Sequence, residues 1–139
     1  MTTIEEALEG STPLAEKVRA GGPYRSTDDV VARMRAVLPT LTEPEKVATL
    51  SAHPRIGEDA ERLSARSLRE QGSDALPELE RLNAEYERRF GFRFVVFVNR
   101  RPKAEILEVL QRRLRRSREE EMEEGLRAIV DIAEDRLRS

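Results

Sequence analysis

The stretch Phe90-Gly91-Phe92-Arg93-Phe94-Val95-Val96-Phe97-Val98 contains all four phenylalanines of the chain and lacks helical spacing. An apolar run this short fits either a buried strand or an extended segment that crosses a helical core, and periodicity alone does not separate the two. The sequence on both sides of it is helical in pattern. We therefore predict an all-α fold: a compact single-domain helical bundle over residues 1–139, with a short apolar extended segment at about residues 92–98 that crosses the core.

Two helices are indicated in the first 54 residues. The first carries an apolar stripe at i, i+3/i+4 and i+7 spacing, made of Val30, Val31, Met34, Val37 and Leu38. Ser26 or Thr27 is placed to cap it, and Pro39 is expected to end it. Thr42-Glu43-Pro44-Glu45 then matches a capping box and opens a second helix, which is expected to stop near His53-Pro54.

Four further helices are predicted on either side of the apolar segment. They are expected from Ser64 to Gln71, from about Ser73 to Phe90, after Pro102, and after Ser117, where Glu120 completes a capping box. The apolar stripes of the last three consist of Leu79, Leu82, Tyr86 and Phe90; of Ile106, Leu107, Leu110 and Leu114; and of Met122, Leu126, Ile129, Ala133 and Leu137.

Composition excludes several classes of function. The chain has 139 residues, no cysteine and one histidine, so a disulfide framework, a thiolate metal site and an imidazole-rich metal site are impossible within it. Its formal net charge of -2 indicates no general attraction to nucleic acid or anionic lipid. No apolar run approaches the roughly 20 residues that span a bilayer, and the N-terminus lacks the features of a signal peptide. We expect a cytoplasmic protein that binds neither nucleic acid nor membranes.

Charge is concentrated near the C-terminus. Five arginines fall within residues 112–118, and five glutamates follow within residues 119–124. Basic residues at the end of one helix and acidic residues at the start of the next suit the two helix dipoles. This pattern is typical of a solvated surface, which we predict here in preference to an RNA-binding surface.

His53 is the first candidate for acid–base chemistry, because no other side chain here ordinarily exchanges protons near neutral pH. A lone histidine is more often a capping or packed side chain. The other residues of the candidate site therefore determine whether a catalytic role is favoured. Ser67, Glu70 and Gln71 stand at i, i+3 and i+4, and therefore on one helix face. Arg136 is four residues beyond Ile132, near the edge of the last buried stripe. Arg138 would replace it if the helical register shifted.

Four pieces of this sequence, in this order, resemble the 2-oxo-4-hydroxy-4-carboxy-5-ureidoimidazoline (OHCU) decarboxylases of urate breakdown: His53 to Gly57, Ser67 to Gln71, Asn83 to Val98, and Arg136-Leu137. The resemblance extends back to about Ser11-Thr12-Pro13. It implies an all-α, usually homodimeric enzyme that needs neither metal nor cofactor. Such a carboxy-lyase acts after urate oxidase and hydroxyisourate hydrolase and converts OHCU to (S)-allantoin and carbon dioxide.

The resemblance also implies roles for single residues. His53 would be the catalytic acid/base and Glu70 a second catalytic residue, which could orient the imidazole or accept from ureido N–H groups. Pro54 would lie beside the substrate. The other substrate-binding residues would be Ser67, Gln71, Phe94, Val95, Val96, Phe97, Val98 and Arg136. Of these, the segment from Phe94 to Val98 would act largely through its backbone.

Three features depart from the family pattern. Only residues 1–10 precede Ser11, so a helix that the family usually has there is expected to be missing. Ser11-Thr12-Pro13-Leu14 lacks the usual aromatic residue, and Arg93 stands where proline is common. These departures leave open a non-catalytic or different-substrate paralogue that binds a purine-derived ligand or a pathway partner. A general helical adaptor would instead require a large apolar surface patch.

Overall fold

The computed structural model describes residues 2–55 and 75–139. These two ranges contain seven α-helices, one 3-10 turn and no β-strand. The α-helices are α1 (Ile4–Ala7), α2 (Pro13–Ala20), α3 (Thr27–Val37), α4 (Glu43–Ser51), α5 (Ala75–Phe90), α6 (Lys103–Arg113) and α7 (Arg118–Arg138). The prediction of an all-α fold is confirmed.

The long helix α7 organises the packing. It contacts α1, α3 and α4, while α2 contacts the same three helices and α5 packs against α6. Its buried face includes Met122, Leu126, Ile129 and Ala133, as its apolar stripe predicts, whereas Leu137 is only partly buried. One contiguous apolar core therefore joins the helices before and after the extended segment.

Helix boundaries follow the capping residues. Ser26 caps α3 by accepting from the N–H of Asp29, and Thr42 forms the predicted capping box with Glu45 at the start of α4. Pro39 does not end α3 abruptly, since a 3-10 turn at Leu38–Thr40 follows Val37. This turn accommodates proline because its first N–H groups need no acceptor within it. The prediction was thus correct for the helix and incomplete for its end.

The later helices also match their patterns. The predicted inward residues of α5, which are Leu79, Leu82, Tyr86 and Phe90, are all buried. Pro102 caps α6, where Ile106 and Leu110 are buried, and Ser117 forms the predicted capping box of α7 with Glu120. The predicted helix from Ser64 to Gln71 lies outside the described residues, as does the predicted start of α5 at Ser73.

The N-terminus carries a helix that the sequence comparison with the family pattern did not lead us to expect. The four-residue helix α1 precedes Ser11, and it packs against α2 and α7. A capping box between Thr3 and Glu6 satisfies its first backbone N–H groups. The expectation of a missing helix was therefore wrong. A capped helix of four residues is too short to show helical periodicity in the sequence.

The apolar segment is extended and passes through the core, as predicted. Phe92, Phe94, Val95 and Val96 are all buried and belong to neither helix nor strand. Without a neighbouring strand, the carbonyl groups of such a segment need other donors.

Arginine side chains supply these donors. Arg118 Nε donates to the carbonyl of Phe90 at 2.9 Å, and Arg113 Nη1 donates to that of Val95 at 2.8 Å. The carbonyls of Phe97 and Val98 accept from Arg101, at 2.6 and 3.1 Å. Guanidinium groups with several donors in one plane can therefore replace a strand partner in this helical core.

The arginine and glutamate clusters are not wholly solvated, so that prediction was wrong in part. Arg113 and Glu121 have side chains only 1% and 0% exposed, and Arg113 Nε donates to Glu121 Oε1 at 2.7 Å. The Tyr86 hydroxyl donates to the same carboxylate oxygen at 2.7 Å. Burial, together with this hydrogen bond to Glu121, raises the pKa of Tyr86 far above its usual range, so it remains a neutral donor. Paired charges can be buried where unpaired ones cannot.

Gly125 allows the close contact between α7 and α4. A Cβ at this position would lie 2.8 Å from Leu50 Cδ2, and Leu50 is fully buried in α4. We expect Gly125→Val to lower the free energy of unfolding by about 1–3 kcal/mol, because a packed core resists added methyl groups. Urea unfolding checks this. The loss should shrink in a Leu50→Ala background, and an equal loss in both backgrounds would contradict the proposed clash.

Candidate active site

The sole histidine lies just past the end of α4. The helix ends at Ser51, the cap residue is Ala52, and the backbone N–H of His53 still donates to the carbonyl of Leu50 at 3.2 Å. Pro54 follows, and because proline disfavours a helical conformation at the residue before it, the chain leaves the helix here. His53 is therefore half-buried at the point where the chain turns away from α4.

Two arginine contacts hold this turn. Arg93 Nη1, from the extended segment, donates to the backbone carbonyl of His53 at 3.0 Å. Arg55 forms a bidentate ion pair with Glu87 of α5, with N–O distances of 2.6 and 2.9 Å. The histidine and the residues after it are thus tied to elements that follow them by more than 30 positions.

A cavity of about 260 Å³ opens beside His53. Ten described residues line it: His53, Pro54, Arg55, Phe94, Val96, Phe97, Val98, Asn99, Ile132 and Arg136. They come from the turn after α4, the extended segment and the C-terminal part of α7. Seven of the residues predicted from the sequence therefore meet at one cavity, although they are spread over more than 80 positions of the chain.

Arg136 reaches this cavity from α7. Its Nη1 donates to the carbonyl of Ala7 at 3.2 Å and forms an ion pair with Glu9, so the guanidinium is held by the last residue of α1 and by a residue just beyond that helix. Arg138, the alternative under a shifted register, is instead paired with Asp28 and Glu134 and does not line the cavity. The register of α7 thus directs Arg136 to the cavity.

The extended segment forms one wall. Phe94, Val96, Phe97 and Val98 line the cavity, but Val95 does not: it is 1% exposed and its carbonyl accepts from Arg113. Within residues 2–55 and 75–139, the backbone groups of Phe94 and Val96 form no hydrogen bond. The carbonyls of Val95, Phe97 and Val98 accept instead from arginine side chains.

Three predicted site residues, Ser67, Glu70 and Gln71, lie outside the described residues. Three lining residues were not predicted as site residues: Arg55, Asn99 and Ile132. Asn99 has a positive φ of 46°, a conformation that asparagine adopts more readily than most residues. Its position directly after the apolar run was the sequence feature that could have identified it as a lining residue. Arg55, next to Pro54 in the motif, could have been included on the same ground.

Each arginine of the lining is paired with a carboxylate outside it, Arg55 with Glu87 and Arg136 with Glu9. Two guanidinium groups and a histidine line the cavity, and none of the described lining residues is an aspartate or glutamate. A larger cavity, of about 580 Å³, lies near Tyr24 and the N-terminus, but it contains no histidine. The smaller cavity is the candidate site because it combines a histidine, two arginines and an apolar wall, the side-chain types that proton transfer and carboxylate binding require.

No group of three or more histidine, aspartate or glutamate side chains within the described residues could hold a metal ion. None of the helices described there is long and apolar enough to cross a membrane.

Together, the fold and the cavity define an all-α protein with a histidine–arginine pocket, and comparison with known proteins gives its family. The family model for OHCU decarboxylase matches residues 1–138. A crystal structure of OHCU decarboxylase in the presence of (S)-allantoin has a TM-score of 0.72 and 25% identity, covering 91% of this chain and 89% of that one. The chain belongs to the OHCU decarboxylase family.

Individual relatives agree with this assignment. The 2-oxo-4-hydroxy-4-carboxy-5-ureidoimidazoline decarboxylase of Haloferax volcanii is 33% identical, over 95% of this chain and 83% of its own length. The mouse protein of the same name is 30% identical, over 89% of this chain and 76% of its own. The uric acid degradation bifunctional protein PucL of Bacillus subtilis is 32% identical over 97% of this chain, which spans only 29% of PucL.

Proposed function

We propose that this chain converts OHCU to (S)-allantoin and carbon dioxide without a metal or cofactor, as a step of urate breakdown. The observation that carries the proposal is the meeting of His53 and Arg136 at one cavity, in a chain of this family. The cavity supplies a group that can transfer a proton and a group that can bind a carboxylate. Decarboxylation of this substrate requires both.

The substrate itself can accept the electron pair that decarboxylation releases. The bond between the ring carbon and the carboxylate breaks, carbon dioxide leaves, and the pair moves into the conjugated imine. The imine nitrogen and the carbon that bears the ureido group each take up one proton, and the neighbouring hydroxyl becomes a carbonyl by losing one, so one proton is consumed overall. The protein needs to bind the substrate, fix its orientation and deliver a proton to one face of its ring.

His53 is the proposed donor of that proton. It sits at the cavity beside Pro54, and the extended segment forms a wall against which a flat heterocycle can lie. A proton that arrives from one side of a fixed ring produces one enantiomer. Spontaneous decay in solution, by contrast, produces both. Glu70 remains a proposed partner of His53, and Ser67 and Gln71 remain proposed substrate ligands.

Substrate recognition is assigned to Arg136 and to the backbone of the wall. The planar guanidinium can bind a carboxylate or a ureido oxygen through two parallel hydrogen bonds. The backbone groups of Phe94 and Val96 offer donors and acceptors to the ring and its ureido arm. Val95 does not line the cavity and contributes to the wall by packing in the core.

The test is to generate OHCU from urate with urate oxidase and hydroxyisourate hydrolase and to follow optical rotation. Rapid appearance of (S)-allantoin only when the chain is present supports the proposal. Racemic decay that folded protein does not accelerate would overturn it. That result would favour the alternative of a paralogue that binds a purine-derived ligand or a pathway partner without turnover.

We expect Arg136→Met to raise KM about tenfold to a hundredfold, because a charged hydrogen bond contributes roughly 1.5–3 kcal/mol. Arg138→Met is the matched control, since Arg138 lies two residues away, is paired with Asp28 and Glu134, and is absent from the cavity. Steady-state kinetics of both variants checks this. Equal KM values for the two variants would remove Arg136 from substrate binding.

We also propose that residues 1–139 form one domain that functions as a cytoplasmic homodimer, as the family resemblance implies. Light scattering coupled to size-exclusion chromatography tests the dimer, and a monomeric mass at working concentration would reject it.

A further inference from the structure

We propose that Arg93 is a positioning residue for His53: its hydrogen bond to the His53 carbonyl holds the imidazole against the cavity. The catalytic part of this inference, an effect on the reaction, rests on the proposed function. The contact itself is present in the structure, where Arg93 Nη1 lies 3.0 Å from the carbonyl oxygen.

The backbone at His53 needs such an anchor. His53 follows the last residue of α4, Ser51, and the cap Ala52, so its carbonyl has no acceptor role within the helix. The next residue, Pro54, has no N–H and cannot extend a backbone ladder from this point. The orientation of the peptide group after His53 therefore depends on contacts from other elements.

Arg93 is well placed to act as that anchor because its own backbone is fixed. It stands between Phe92 and Phe94, which are 2% and 1% exposed, while Arg93 itself is half-buried. Phe94 also lines the cavity. The hydrogen bond thus links the turn that carries the histidine directly to the extended segment that forms a wall of the cavity.

The second tie, between Arg55 and Glu87, does not replace this one. It lies two residues further along and holds the Arg55 side chain, not the peptide group that follows His53. It does, however, keep the turn near α5. Loss of the Arg93 contact should therefore leave the fold intact and increase the freedom of His53.

Kinetics of three variants tests the catalytic consequence. We expect Arg93→Met to lower kcat about tenfold with KM changed less than about twofold, since a small displacement of a catalytic group weakens the chemical step. Arg93→Lys, which keeps one cationic donor, should recover part of this loss. Arg88→Met is the control, because Arg88 is exposed on α5 and forms no hydrogen bond or ion pair with any described residue. Unchanged kcat in Arg93→Met would overturn the proposal.

A second measurement does not depend on the substrate. His53 is the only histidine, so in tag-free protein its ring gives a single set of imidazole C–H signals in the NMR spectrum. At fixed pH, Arg93→Met should shift or broaden these signals, and Arg88→Met should not. Identical signals in wild type and Arg93→Met would overturn the proposal. If wild type fails to decarboxylate OHCU, the proposed function fails, and this spectrum still decides whether Arg93 positions His53.

Discussion

His53→Gln should lower kcat for (S)-allantoin formation about a thousandfold while leaving KM and the unfolding temperature nearly unchanged. A positioned general acid typically accelerates a reaction by about 10²–10⁴-fold, and glutamine keeps polar atoms in the cavity without a group that transfers protons. The measurement is steady-state kinetics followed by optical rotation, with the racemic background subtracted.

Two further observations separate proton transfer from a structural role of this residue. His53→Ala should show a similar loss, and added imidazole should restore part of its activity, because the cavity of about 260 Å³ is large enough to admit a small base beside the substrate wall. Retention of near-wild-type kcat by His53→Gln would mean that another group, or water, delivers the proton.

Arg113→Met should lower the free energy of unfolding by about 3–5 kcal/mol, the largest stability effect that we expect for a single substitution. Without Arg113, the buried Glu121 keeps only the longer ion pair with Arg116, whose Nη1 lies 3.4 Å from its other carboxylate oxygen, so its charge is poorly compensated in the core. Glu121 is fully buried, and Arg113 also donates to the carbonyl of Val95 and lies 4.6 Å from the centre of the Phe94 ring. Urea unfolding measures the loss, with one m-value (the dependence of the unfolding free energy on urea concentration) fitted for all variants.

The matched control for this substitution is Arg112→Met, one residue earlier and exposed on α6, which should change the free energy of unfolding by less than about 0.5 kcal/mol. The double variant Arg113→Met with Glu121→Leu should be more stable than Arg113→Met alone, since it leaves no isolated charge in the core. A double variant that is less stable than the single one would show that the arginine acts chiefly through Val95 and Phe94.

Local patterns predicted most of the helical architecture. The stripes of α3, α5, α6 and α7 and the capping boxes at Thr42 and Ser117 depend on residues within a turn or two of each other, so the sequence displays them directly. The extended segment was also visible, because it interrupts those patterns. The helix α1 was missed since its four residues are too short for a period.

Features that depend on distant residues were harder to predict. The burial of Arg113 requires Glu121 and Tyr86 to meet it from two other helices, whereas a charge run viewed alone suggests a solvated surface. The ion pair between Glu9 and Arg136 joins opposite ends of the chain. The proposal that groups His53 with Arg136 came from the family resemblance, which supplied the long-range information that periodicity lacks, and both residues line one cavity.

The arginine donors along the extended segment have a consequence for how the cavity is assembled. Each lies within 28 positions of the carbonyl it binds, and the two bonds from Arg101 span only three and four positions. The wall of the cavity is thus built from one continuous part of the chain, with short loops to close. The turn that carries His53 is joined to that wall by Arg93 across 40 positions, and to α5 by Arg55 and Glu87 across 32 positions. The entropic cost of placing the histidine is therefore separate from the cost of forming the surface that it faces.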